Sequence, residues 1–81
     1  MNYVEKIKKL EELVNRIKKG RTGTQIQLAK EMHTSKTSLN RWFSELRDMG
    51  AEIEFDRIMN TYYINNEFSL HVQVTVNNVR Q

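Results

Sequence analysis

The apolar positions of the first quarter recur at steps of three and four. Val4, Ile7, Leu10, Val14 and Ile17 form one stripe, which predicts an amphipathic helix over residues 3–19. On the other side Glu5–Lys9 and Glu12–Arg16 stand four apart with the acid first, the favourable order for helical pairs. Lys18 and Lys19 suit the negative end of that helix, and Gly20 ends it. Thr24 followed by Gln27 reads as a capping box that opens a second, shorter helix reaching about Met32, with Leu28, Ala29 and Met32 inward. Ala29 is small enough to let another helix cross closely. His33-Thr34-Ser35 interrupts, and Ser35 is a good N-cap for a third helix from Lys36 to about Met49. Leu39, Phe43 and Leu46 are its buried face, and Gly50 terminates it.

After Gly50 the period changes to two. Ile53 and Phe55 alternate with Glu52, Glu54 and Asp56, and Tyr62 and Ile64 alternate with Tyr63 and Asn65. The intervening Arg57-Ile58-Met59-Asn60-Thr61 is long enough to turn a hairpin, with Asn60 the residue best suited to positive φ. Phe68, Leu70, Val72, Val74 and Val76 then alternate with polar residues, which predicts one more strand. The expected fold is α+β: a winged helix-turn-helix of three helices and a hairpin wing over 1–66, then a C-terminal strand and tail over 67–81.

Eighty-one residues make one small domain with a modest core. No cysteine is present, so neither a disulfide nor a zinc-thiolate site supports it, and His33 and His71 have no ligand-spaced partners. No cofactor is expected. The apolar stretches are too short to span a bilayer, and the first residues lack a signal peptide's apolar run, so a cytoplasmic protein is expected. Residues 1–47 carry a charge balance of +6 and residues 48–81 a balance of −3. A basic half is what a polyanion-facing surface needs, although a solvated helix face has the same composition.

The three-residue link between two helices forces a steep crossing and presents the third helix outward. Opposite Leu39, Phe43 and Leu46 lie Lys36, Thr37, Asn40, Arg41 and Ser44. Asparagine and arginine match adenine and guanine edges, while lysine, threonine and serine serve phosphates. Thr24–Ile64 resembles the N-terminal winged-helix reader of DeoR- and WYL-type bacterial transcription regulators. The resemblance lies in Leu28-Ala29-Lys30-Glu31-Met32, Ser35-Lys36-Thr37-Ser38-Leu39-Asn40-Arg41, the run from Leu46 to Asp56, and Tyr62-Tyr63-Ile64. It covers about half the chain, and residues 1–19 fit the family's first helix. The resemblance implies operator binding through the helix that begins at Ser35, with contacts from Lys36, Thr37, Ser38, Asn40 and Arg41. His33, Thr34 and Trp42 depart from the family's usual residues, and the tip Ile58-Met59-Asn60-Thr61 lacks its usual basic or glycine-rich character.

The expected partner is therefore double-stranded DNA, read in sequence-specific fashion by a small transcription regulator. Arg21, Thr24, Ser35 and Arg57 are secondary candidates for phosphate contacts, with Lys18 and Lys19 at the helix end. Trp42 is expected at the core edge rather than on a sugar or partner, and His33 as a turn residue chosen for its backbone. No catalytic constellation is recognisable: there is no cysteine nucleophile and no glycine-rich phosphate cradle. The competing expectation is a winged helix used as a protein-interaction module, for which the apolar wing tip leaves room. Phe68, Leu70, Val72, Val74 and Val76 are expected to form a homodimer interface, since an operator reader usually needs two-fold symmetry.

Overall fold

The computed structural model describes residues 2–70 of the chain. They form three helices and an antiparallel hairpin, an α+β arrangement. Helix α1 spans Tyr3–Lys19. Its start is a capping box in which the Glu5 N–H donates to Asn2 Oδ1 at 2.8 Å and the Asn2 N–H donates to Glu5 Oε1 at 3.2 Å. Glu5 thus serves the helix end and not Lys9, and Lys9 turns to Glu12 at 3.6 Å. The expected Glu12–Arg16 pair forms at 3.2 Å. The buried stripe is Leu10, Leu13, Val14 and Ile17, one residue broader than the sequence pattern at its centre and shorter at its start, where Val4 is exposed. Packing of α1 against the hairpin as well as the helices widens the covered arc and brings Leu13 into it.

Helix α2 spans Gln25–Glu31 and opens with the expected Thr24–Gln27 capping box. Its exit is a left-handed cap. His33 has φ 54°, the Thr34 N–H reaches Ala29 O at 2.9 Å and the His33 N–H reaches Lys30 O at 3.0 Å, the paired bonds of a Schellman motif. Histidine thus occupies a position usually given to glycine. Helix α3 spans Lys36–Asp48, with the Ser35 hydroxyl accepting from the Ser38 N–H. It closes the same way: Gly50 has φ 112°, and the Ala51 N–H reaches Leu46 O at 3.0 Å.

Strands β1 (Ile53–Asp56) and β2 (Thr61–Ile64) pair with Ile53 opposite Ile64 and Phe55 opposite Tyr62. The tip is braced: Asp56 Oδ1 accepts from the N–H groups of Ile58 and Met59, and Asn60 takes the expected positive φ of 55°. Ile53 is buried and Tyr62 and Ile64 partly so. Tyr62 lies 4.8 Å from Phe43 and 4.9 Å from Phe55, ring centre to ring centre.

One clasp was not foreseen. Thr22 is buried, and its N–H donates to Thr61 Oγ1 at 3.0 Å while its own hydroxyl accepts from the Tyr62 N–H at 2.8 Å. The outer edge of β2 is thereby closed by the loop between α1 and α2.

The strand expected to begin at Phe68 is absent from residues 68–70. Asn66 explains why. Its side chain donates to Gly50 O at 2.8 Å and accepts from the Glu52 N–H at 3.3 Å, which turns the chain back beside the start of β1. Phe68 and Leu70 then lie partly buried against the chain's own core and join no ladder. Val72, Val74 and Val76 lie outside the described residues.

Candidate nucleic-acid interface

Helix α3 buries Leu39, Trp42, Phe43 and Leu46. With four of thirteen positions locked inward, the opposite arc is free of any packing role. Lys36, Thr37, Asn40, Arg41 and Ser44 are all exposed on that arc. Ser38, included among the family's contacts, is only half-exposed. Trp42 is more deeply buried than expected, at 6% exposure. It is core rather than edge, and it fixes the rotation of α3 about its axis.

The face is mixed in chemistry and positive in charge. Among the described residues, Lys36 and Arg41 have no carboxylate within ion-pair distance. Asn40 is held: its Oδ1 accepts a hydrogen bond from Gln25 Nε2 on α2. The pair keeps a donor on Asn40 Nδ2 and an acceptor on Gln25 Oε1, the complementary set that an adenine edge requires. Gln25 was missed in the sequence. Its place four residues before the buried Ala29 puts it on the same side of α2, but its reach to Asn40 depends on how α2 crosses α3.

Thr24 and Ser35 use their hydroxyl oxygens as cap acceptors, at 3.3 and 3.0 Å. Each retains its O–H proton as a donor, the form in which a hydroxyl meets phosphate. Thr24 lies beside Gln25 and so close to the α3 face. Arg57 is exposed on the hairpin turn and Arg21 on the clasping loop, where it has φ 59°. These two lie on elements joined to each other through Thr22 and Thr61 and not on α3 itself.

The turn presents Ile58 at 93% exposure and Met59 at 69%, with no cation other than Arg57 beside them. On the inner side, Arg47 donates to Ile53 O at 2.9 Å and lies 5.7 Å above the Phe43 ring, joining α3 to β1. Burial raises the Tyr62 hydroxyl above its ordinary pKa of 10.0, and Arg47 opposes that shift.

Among the described residues no group of three or more His, Asp or Glu is arranged to hold a metal ion, and no helix is long and apolar enough to cross a membrane. No family model, curated protein or solved structure matches the chain.

Proposed function

We propose that the chain is a winged helix-turn-helix that binds double-stranded DNA by sequence and acts as a small transcription regulator. The observation that carries this reading is the α3 face: five exposed polar side chains, two of them cations, opposite a fully packed apolar arc. B-DNA's major groove, about 12 Å wide, admits one helix, and side chains on its outer arc reach base edges there. In this reading Arg41 and the Gln25–Asn40 pair read bases, and Lys36, Thr37, Ser44, Thr24 and Ser35 hold phosphates. Selection from a random duplex pool tests it. An enriched motif is the expected result, and recovery of unenriched sequence at every round overturns it.

Ile58 and Met59 support a second reading, in which the hairpin tip docks on another protein. Rigidly displayed apolar side chains are poorly matched to phosphate and well matched to an apolar pocket. Salt separates the two. Phosphate-dominated binding falls linearly on a log–log plot as salt rises, whereas an apolar contact barely responds.

A further inference from the structure

Away from the α3 face, a groove of about 460 Å³ opens between the end of α1 and α2. It lies on a different face of α2 from the proposed reading surface: Gln25 faces Asn40 of α3, whereas Glu31 faces Arg16 of α1 at 3.3 Å. Arg16, Lys19, Arg21 and Lys30 line it, against the single carboxylate of Glu31. Arg16 is committed to Glu12 and Glu31. Among the described residues Lys19, Arg21 and Lys30 have no ion-pair partner, so three uncompensated cations border one concavity.

The loop that forms the groove's rim is held in an unusual shape. Gly20, Arg21 and Gly23 have φ of 84°, 59° and 74°, so a long, charged side chain stands where glycine is the easy choice. The Thr22 clasp to Thr61 and Tyr62 holds it there. Nothing in the packing asks for arginine, because the side chain is exposed. Backbone strain retained under a charged, unpaired side chain at the rim of a cavity is a feature of ligand sites.

We propose that this groove is a second anion site, separate from the α3 face, that takes a ligand bearing two adjacent phosphoryl groups. Charge and size select that class. Three unpaired cations balance about three of the negative charges on a diphosphate. At about 460 Å³ the groove is roomier than a single phosphoryl group needs. The two phosphoryl groups come either from a small molecule's diphosphate or from consecutive backbone phosphates of a flanking stretch of duplex, which a sugar separates and which carry one charge each.

The probe is inorganic pyrophosphate, followed by amide NMR shifts on the full chain, with sodium sulfate at equal ionic strength as control. Saturable shifts confined to residues 19–23 and 30–31 are expected. Arg21→Gly suits the left-handed backbone and keeps the fold, and Lys30→Gln is a surface change. Each is expected to weaken binding about three-fold, with Arg21→Lys restoring most of it. Shifts spread over every basic residue, equal shifts with sulfate, or unchanged binding in the Arg21→Gly, Lys30→Gln double variant overturn the site. Two arms assign the source. If a short duplex shifts the same amides and pyrophosphate displaces it there, backbone phosphate occupies the groove; if the duplex leaves them unmoved, the ligand is a free diphosphate. The Lys36→Ala, Arg41→Ala variant separates this proposal from DNA reading, since it is expected to lose duplex and keep pyrophosphate.

Discussion

At the residue scale the proposed function divides the outer arc of α3 into groups that would read bases and groups that would hold phosphates. Arg41→Ala and Asn40→Ala are expected to relax base preference, each at a cost of about 1–3 kcal/mol on the best site. Gln25→Ala is expected to resemble Asn40→Ala, because the two amides form one hydrogen-bonded edge. Lys36→Ala should weaken all sequences alike and reduce the salt slope by about one unit. Binding isotherms at several salt concentrations, on selected and scrambled duplexes, check all four. Unchanged affinity throughout, with helicity intact, removes α3 from the interface. The outward set Lys36, Thr37, Asn40, Arg41 and Ser44 was legible from sequence because helical spacing alone sorts it from Leu39, Phe43 and Leu46. The burial of Trp42 and the reach of Gln25 were not. Both depend on how a neighbouring element crosses α3, which spacing within one helix does not encode.

At the element scale, local chemistry made the helices readable. Thr24 with Gln27, Ser35, Gly20 and Gly50 mark ends whose bonds are all made within a turn, so the boundaries follow from short stretches of sequence. The hairpin is legible for the same reason, through alternation and Asn60. Residues 68–70 depart from the expected strand because alternation at Phe68 and Leu70 fits a strand face and a coil docked on a core equally well, and Asn66 decides between them there through its bonds to Gly50 and Glu52. Two outcomes are expected of the hairpin. Replacing Ile58 and Met59 with serine should leave both the fold and duplex affinity nearly unchanged by circular dichroism and binding assay; a large loss of affinity places apolar side chains against the duplex, as in minor-groove wedges. Tyr62 carries a pH signature. Its folded pKa is raised, so its contribution to stability is complete below the unfolded value of 10.0 and is lost as pH climbs through the higher folded one. Denaturant melts of the protein and of Tyr62→Phe should run parallel up to about pH 10 and diverge above it, with the tyrosine form losing stability faster.

At the scale of the whole molecule, the proposed function raises the question of how so small a chain would cover an operator. We propose a two-fold dimer formed by the segment that holds Val72, Val74 and Val76, with Phe68 and Leu70 at its root. A chain ending at Leu70 retains the two side chains that rest on the core, so it tests association without opening the fold. Light scattering should give twice the chain mass for the full protein and a monomer for the shortened one, which keeps its helices and loses most operator affinity. A full-length monomer at high micromolar concentration rules the dimer out. The clasp at Thr22 has a different consequence, one of time rather than space. Antiparallel bonds alternate, and the Asn65 N–H to Glu52 O bond sets the phase, so the Tyr63 N–H points at β1 while its neighbour Tyr62 points at Thr22. Adjacent amides are thus wired to different events. Exchange with solvent deuterium at Tyr63 clocks the parting of the two strands, and exchange at Tyr62 clocks the release of the hairpin from the helices. A two-stranded ribbon this short scarcely survives alone in water. The two clocks should therefore tick together in the native chain, and Thr22→Val should set the Tyr62 clock running ahead.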